Sequence, residues 1–488
     1  MTLLRSALRT APLLLLATLA FAAPPASRPR AQVSPKLIPM FIPWEEAAPI
    51  VAAAPAATLP QDLAGKKPQH LMDLWPDWVR AQDKQVRDRL AKGDEDSLVN
   101  LLLFGNSYTR QPRLSAEFFE KLRAEGDAKQ AQARLEQVIG YRTHDLVLAM
   151  AAPQGNERVD FMRRLIVAQG MSFATPQEKE KVAAYLLHSF DRARTEFSGY
   201  MEEVRKARET GDRDQELAVR ARLFATRGVS LDTSWLPNLA IEDALRELMA
   251  KGVLAQGSAQ RLAVIGPGLD FVDKREGYDF YPLQSFQPFA LMDSALRLGL
   301  ADRKQVRVTS LDISERVNTH LARMRQRAQA GTPYVIQLLR EANVPWTPEA
   351  TRYWDTFADQ IAKPASAVEP PPAARKLKVR AVRVPVDLVL RIDAADLNVV
   401  YQRLALPAAE RFDVIIGTNI FVYYGPFEQS LALANAAQML RPGGVLLSNN
   451  LLPDAAGTGM ESLEYVTTVY SDRPEDGDQI FIYRKRLQ

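Results

Sequence analysis

Two patterns of apolar and polar positions divide the chain. From about Leu71 to Leu254, apolar residues recur at i, i+3 and i+4, as in WVRAQDKQVRDRLAKG, AEFFEKLRAEG, EKEKVAAYLLHSFDRARTEFSGYMEEVRKARETG and NLAIEDALRELMAKG. That spacing lines one face of a helix with apolar side chains. Gly93, Gly126, Gly211 and Gly252 stand where these stretches stop, and glycine is the residue that most readily takes a left-handed helix end. β-branched alternation is sparse, so residues 71–255 are expected to form an all-α domain. Trp75 and Trp78 read as core residues rather than a ligand cage. The stretch LLLFGNSYTRQPR, Leu101–Arg113, departs from the pattern. It reads either as a helix–loop–helix with solvated arginines or as a loop reaching the cleft of the other half.

From about Gln260 the pattern changes to alternating strands and helices. RLAVIG is a β-branched strand ending in glycine, Gln287–Leu300 a helix, VRVTSLDIS a strand ending in an acid, and RVNTHLARMRQRAQA a helix. VPVDLVLRIDAADL contains a third strand, preceded by the Pro-rich insertion Ala365–Lys376. RFDVIIGTNIFVYY is a strand running into a loop, PFEQSLALANAAQML a helix closed by RPGG, and VLLSNN a strand. SLEYVTTVYSD and DQIFIYRKRL form a final pair, expected to be antiparallel. This alternation predicts an α/β fold over 256–488, with a mostly parallel sheet covered on both faces. A ligand is expected at the carboxyl ends of its strands.

Ahead of both halves, residues 1–23 carry Arg5 and Arg9, an apolar run over Ala11–Phe21 and the small-x-small pattern Ala20-Phe21-Ala22. This is the pattern of a cleaved secretory signal peptide, and it implies export to the periplasm or beyond. A spurious leader would leave the chain in the cytoplasm. Residues 24–70 are rich in proline and alanine and read as a semi-extended linker. No later segment is apolar enough to predict a stable membrane span once the leader is removed.

Composition narrows the chemistry. The 488 residues allow two or three domains, and a net charge of +4 is too small and too evenly spread to suggest a nucleic-acid partner. Cysteine is absent, which excludes thiol nucleophiles, thiolate metal sites and disulfides. His70, His144, His188 and His320 are scattered, without metal-ligand spacing, and no metal site is expected.

The candidate binding residues lie at the predicted strand ends. Gly266 and Gly268 follow the first strand, where glycine lets the backbone turn and approach a ligand. Asp312 ends the second strand, and an acid there accepts both hydroxyls of an adenosine ribose. Its alternative role is an N-terminal cap for the next helix. Gly266 and Asp312 are 46 residues apart, far more than the ~20 of a dinucleotide site. The excess is an insertion, LDFVDKREGYDFYP. Asp393, Asp396 and Asn398 follow at the third strand, as contacts for adenine or as turn residues.

Arg411–Tyr424 followed by Leu440-Arg441-Pro442-Gly443-Gly444 is the most distinctive element. An FDxI strand, a helix and an L-[KR]-PGG turn at this spacing resemble the second half of class I S-adenosylmethionine-dependent methyltransferases. The stretch Thr418–Tyr424, TNIFVYY, is most similar to the chemotaxis-receptor methyltransferases, with Thr418 where that family has arginine. The resemblance covers roughly residues 260–488. It implies a Rossmann-like methyltransferase sheet with helices on both faces, preceded by the all-α domain, and S-adenosylmethionine as cofactor. It places Gly266 and Gly268 against the methionine part, Asp312 on the ribose, Asp393 to Leu397 beside adenine, and Asn419 near the sulfonium.

On the acceptor side, the insertion holds Asp270, Asp273, Tyr278, Asp279 and Tyr281, and Tyr423 and Tyr424 follow the fourth strand. Asn419, Tyr281 and Tyr423 are the candidate catalytic residues. The acceptor reads as a small molecule or a protein side chain. Two other functions stay open: an exported binding or scaffold protein that kept the sheet without catalysis, and an NAD(P)-dependent oxidoreductase.

Overall fold

The computed structural model describes residues 37–487, apart from residues 57, 125, 210, 212–227, 229–232, 234, 272–277, 342–343, 372–373, 375–376, 454–455 and 474–475. The expected leader and Asp273 lie outside the described residues.

Seven strands form the main sheet: β1 (Arg261–Ile265), β2 (Arg307–Asp312), β3 (Ile392–Asp396), β4 (Phe412–Gly417), β5 (Leu440–Ser448), β6 (Met460–Val469) and β7 (Gly477–Lys485). Their spatial order is β3-β2-β1-β4-β5-β7-β6. β3, β2, β1, β4 and β5 are parallel neighbours, while β7 runs antiparallel to both β5 and β6. The central strands β1, β2 and β4 are buried on both faces, as a sheet covered on both sides requires. Along β1, Leu262 and Val264 enter one core with Val308, Val414 and Ile416, while Ala263 and Ile265 enter the other with Leu311 and Ile415. The helices Gln287–Arg297 and Glu315–Gln329 cover the first face, and Pro426–Met439 covers the second.

The motif that carries the family resemblance is an amino-end staple. Asp413 Oδ2 accepts the Gln260 and Arg261 amides at 2.8 Å each, tying β4 to the entry of β1. Its other oxygen takes a hydrogen bond from Arg441 Nε of the LRPGG segment. Leu440–Ser448 is one strand with a register shift between Leu440 and Val445, rather than a turn followed by a strand.

Several expectations need correction. From Leu37 onward the expected linker is folded. Pro39–Phe41 pairs with Gln402–Leu404, and Trp44–Ala53 is a helix. Ile42, Ala47, Ile50 and Val51 are buried in the same core as Trp75 and Trp78. The proline at 43 precedes the helix, where no backbone donor is needed, so it does not prevent folding. Gly93 does not end a helix. Pro68–Phe104 is continuous, and Gly93 is buried within it, because the backbone of Gly228 crosses there. A Cβ on Gly228 would lie 2.4 Å from Gly93 N. A three-stranded antiparallel sheet, Tyr334–Glu341, Leu377–Val384 and Lys363–Ala365, occupies the stretch before β3, where only a Pro-rich insertion was expected.

Every element assigned from Pro68 to Ala250 is a helix. These helices do not stand apart from the sheet, and Leu37–Gln488 is one compact unit. Pro237–Ala250 packs on the first face of the sheet through Ala240, Ala244 and Leu248. Among the described residues, no helix is long and apolar enough to cross a membrane.

Candidate functional site

The carboxyl ends of β1, β2, β3 and β4 meet at one edge of the sheet, where Ile265 is level with Leu311 and Gly417, and Asp312 with Asp396. Gly266 and Gly268 both take positive φ, +62° and +64°. The chain turns sharply there while the Gly266 amide donates to Leu311 O at 2.8 Å. A Cβ on Gly266 would lie 2.1 Å from Ile420 Cδ1, so glycine is needed both for the turn and for this close approach.

Asp312 sits at the centre of this edge and is 3% exposed. Its Oδ1 accepts the Ser314 amide at 2.8 Å, whereas Oδ2 has no hydrogen-bond partner among the described residues. Burial pushes its carboxyl up to about 7, against the opposing pull of the Ser314 and Gly268 amides and the nearby Arg316 charge. The helix cap after β2 belongs to Ser314, whose hydroxyl accepts the Val317 amide, and not to Asp312. The Asp312 backbone oxygen binds Leu397 N at 3.0 Å and Asn318 Nδ2 at 2.9 Å, which draws the β2 and β3 ends together.

The third-strand candidates separate. Asp393 lies inside β3 opposite Thr309, and Arg325 holds its carboxylate at 3.1 Å. It is three residues short of the strand end and is not brought to the edge. Asp396 is at the edge, but its exposed carboxylate pairs with Arg87 at 2.8 Å. Leu397 is buried directly behind it. Asn398 is buried and donates to Asp83 at 2.9 Å.

At the end of β4, Asn419 takes φ +59°, a left-handed conformation that asparagine tolerates better than most residues. Its amide donates to Asn449 Oδ1 at 2.7 Å, and Asn449 Nδ2 returns a bond to Asn419 Oδ1 at 2.9 Å. This exposed reciprocal pair bridges the β4 and β5 ends. Buried Thr418 accepts from Gln287 Nε2 at 2.8 Å, leaving Gln287 Oε1 without a partner among the described residues. Tyr423 packs against both cores, and its backbone oxygen accepts from Arg89. Tyr424 is buried.

The insertion after Gly268 is gripped by the helical half. Arg158, itself buried, donates to the carbonyls of Asp270 (2.7 Å), Phe271, Asp279 (3.4 Å) and Tyr281. The Asp279 carboxylate caps the Gly-Asn-Ser turn, accepting from the amides of Asn106 (2.7 Å) and Ser107 (3.0 Å) and from the Ser107 hydroxyl. The 101–113 loop therefore does reach the other half, and buried Arg142 braces it through the carbonyls of Leu102, Gly105, Gln111 and Pro112. Tyr281 is not presented as a reacting group. Its hydroxyl donates to Asp270 at 2.9 Å, and its ring lies in a buried cluster with Tyr278, Leu339 and Leu377.

The long helix Pro68–Phe104 crosses this same edge. Along its length, Asp83 meets Asn398, Arg87 meets Asp396 and the Ile313 carbonyl, Arg89 meets the Tyr423 carbonyl, and Asp94 meets Arg316. Sequence reading missed Arg87, Asp94, Gln287, Arg316 and Asn449. All of them acquire their place through contacts distant in sequence. Asn449 alone had a local signal, in the strand ending VLLSNN.

No protein-family model matches the sequence, and no curated protein matches it. Among solved structures, the chain is similar to the N-methyltransferase NodS from Bradyrhizobium japonicum WM9, at 13% identity, with 50% of this chain and 96% of that chain covered and a TM-score of 0.24. A TehB-like SAM-dependent methyltransferase from Corynebacterium glutamicum ATCC 13032 Kitasato is similar at 11% identity, with 58% and 98% covered and a TM-score of 0.26. Magnesium protoporphyrin IX methyltransferase from Synechocystis PCC 6803, solved with bound SAM, is similar at 11% identity, with 51% and 79% covered and a TM-score of 0.24.

Proposed function

We propose that the chain is an S-adenosylmethionine-dependent methyltransferase acting on a small-molecule or protein side-chain acceptor. The observation that carries this reading is the strand order β3-β2-β1-β4-β5-β7-β6, with β7 antiparallel and Asp312 at the end of β2. A dinucleotide-binding sheet has six parallel strands in the order 3-2-1-4-5-6, and here the sixth place is taken by an antiparallel strand. The nicotinamide reading loses its support on that ground.

The residues present fit the cofactor. Asp312 offers a buried carboxylate oxygen with no partner among the described residues, suited to the hydroxyls of a ribose. Gly266 and Gly268 turn the chain sharply at positive φ where a cofactor would approach the end of β1, with Ile420 packed where a Gly266 side chain would stand. Ile313, half-buried beside Asp312, offers apolar surface suited to a purine, with Leu397 buried behind. When bound, the cofactor supplies a methyl group already activated by its sulfonium. What remains for the protein is to bind, to align and to exclude water. Asp312 binds, Asn419 and Asn449 orient the acceptor at the β4 end, and the long helix covers the edge through Arg87 and Arg89.

The resemblance to chemotaxis-receptor methyltransferases rests on Thr418–Tyr424. Thr418 is buried against Gln287 and takes no part in an exposed charged surface, which favours an acceptor other than a receptor carboxylate. We read residues 1–23 as a cleaved leader. Fractionation of a C-terminally tagged chain tests this, since a full-length cytoplasmic band counts against it. For the activity, the purified chain is incubated with methyl-tritiated S-adenosylmethionine and cell extract. Label transferred by the wild type and lost in Asp312→Ala supports the reading. A chain that binds the cofactor yet transfers no label in any extract is instead a binding protein on this sheet.

A further inference from the structure

The carboxyl edge of the sheet continues past Asn419 and Asn449 to the start of β7. Because β7 is antiparallel to β5, its first residues lie beside the β5 end, where Ser448 is level with Phe481. Asp478 stands there, half-buried. Asn449 Nδ2 donates to Asp478 Oδ1 at 3.1 Å and to Asn419 Oδ1 at 2.9 Å, so one nitrogen ties the two oxygens together. Asp478 Oδ2 accepts the hydroxyl of buried Tyr470 at 2.7 Å. Burial and the Asp478 charge push that phenol up, which keeps it a donor.

Both of these donors are neutral, and Asp478 forms no ion pair among the described residues. Its neighbours differ. Asp396 pairs with Arg87 and Asp476 with Arg473, while Asp472, on the same hairpin as Asp478, is exposed to water. Asp478 therefore joins partial burial to the lack of a cation. A carboxylate has about four lone-pair sites, and two are used here. A cation brought to a partly desolvated anion is held more strongly than it would be in water. The charge also sorts the possible methyl acceptors. A carboxylate acceptor would meet a like charge, and a hydroxyl brings no charge to meet this one. An amine arrives as an ammonium, with both the charge and the N–H donors that Asp478 lacks.

We propose that Asp478 anchors an amine at this edge, with Asn449 and Tyr470 as positioning residues for its carboxylate, and that this amine is the methyl acceptor. The second part rests on the proposed function. In the transfer, the bound ammonium first gives one proton to solvent water. The nitrogen lone pair then forms the N–C bond, the methyl–sulfur bond breaks with its electron pair left on sulfur, and the product is again an ammonium facing Asp478. Two sources carry this chemistry: a small amine and an amino group of a protein.

The binding part is tested on the full chain with isotope-labelled asparagines, titrated to millimolar n-butylammonium or butyrate and followed by nuclear magnetic resonance. Butylammonium should saturably shift the Asn449 side-chain amide in the wild type and butyrate should not. Asp478→Asn should weaken that binding at least about tenfold, and Asp478→Glu should restore part of it. Thermal unfolding checks folding, and Asp478→Ser replaces Asp478→Asn if the latter does not fold. No saturable shift, an equal response to butyrate, or a shift that survives loss of the Asp478 charge overturns the proposal. The transfer part uses methyl-tritiated S-adenosylmethionine and cell extract. The label should resist alkali and disappear when the extract's amines are acetylated beforehand. It should also fall at least about tenfold in Asp478→Asn, while S-adenosylhomocysteine affinity changes less than about twofold. Acid-soluble label identifies a small amine, and acid-precipitable label a protein amino group. Label released by alkali as methanol, or retained after acetylation, overturns the amine as acceptor. Butylammonium binding that depends on Asp478, in a chain that does not bind S-adenosylhomocysteine, upholds the amine site while overturning the methyltransferase reading.

Discussion

Asp312 makes ligand binding depend on pH in a way that can be calculated. Burial raises its carboxyl to about 7, well above its ordinary value of 3.8. A ribose donates two hydroxyl protons, so it is held by the ionised form. With the group near 7, about one-tenth of the unliganded protein is ionised at pH 6 and about nine-tenths at pH 8. Apparent affinity scales with the competent fraction, so S-adenosylhomocysteine should bind about tenfold tighter at pH 8 than at pH 6, with a proton released on binding at the lower pH. In Asp312→Asn the dependence should vanish, and the affinity at pH 8 should fall at least about tenfold. The same shift acts oppositely on the unliganded fold. A carboxyl raised on folding favours the folded state below its ordinary value, and that contribution is lost as pH rises through about 7. Unliganded stability should therefore decline between pH 4 and 7, by up to about 4 kcal/mol, and the Asn variant should remove that decline. Calorimetry in buffers of different ionisation enthalpy reads the affinity and the proton count together, and urea titrations read the stability. A flat wild-type affinity from pH 6 to 8, or an unchanged affinity in Asp312→Asn, refutes the reasoning.

Three further outcomes follow from the packing. Arg158→Ala strips donors from four carbonyls of the insertion, so it should cost about 3–5 kcal/mol in denaturant titrations and speed hydrogen exchange at residues 278–284. Unchanged exchange there would mean that the helical half does not hold the insertion. Asp413→Ala should lower stability by about 2–3 kcal/mol while changing S-adenosylhomocysteine affinity less than about twofold, because its bonds lie at the amino ends of β1, β4 and β5. A large loss of affinity in a folded variant would place the motif in the site after all. Asn419→Gly should be at least as stable as wild type, and Asn419→Ala about 1 kcal/mol less stable, because of the left-handed backbone at that position. Equal unfolding midpoints for the two variants would remove the strain argument.

The centre of the main sheet was legible because its strands are short apolar runs that end in Gly266, Asp312 or Gly417, which stand out against RLAVI, VTSL and FDVII. Of the helices behind them, Glu315–Gln329 carries a single buried stripe at Val317, Leu321, Met324 and Ala328, whereas Gln287–Arg297 and Pro426–Met439 are buried nearly all round. The folded segment from Leu37 was hidden because Ile42, Ala47 and Ile50 are spaced among prolines and become core only against Trp75 and Tyr401. The small sheet was missed although LKVRAVRV alternates, since its partner strand Tyr334–Glu341 lies far upstream beyond an intervening helix. Gly266, Gly268, Asp312 and Asn419 were readable as strand-end residues, and the fold brings them to the carboxyl edge of the sheet. Asp393 was misplaced because the strand runs three residues further than its first acid. Tyr281 reads as a reactive group in the sequence and is a packing residue in the fold, as only the Asp270 bond and its buried neighbours reveal. Asp94 and Arg316 sit in polar helical stretches with nothing local to mark them. Their burial comes from a helix that starts far upstream and crosses the strand ends.

The central claim is that the edge built by Gly266, Gly268 and Asp312 holds an adenosyl cofactor. Titration of the purified chain with S-adenosylhomocysteine tests it most directly. Saturable binding with one site per chain, weakened at least about tenfold in Asp312→Ala, is the predicted result. No heat of binding up to millimolar ligand, or binding that Asp312→Ala leaves intact, would contradict it.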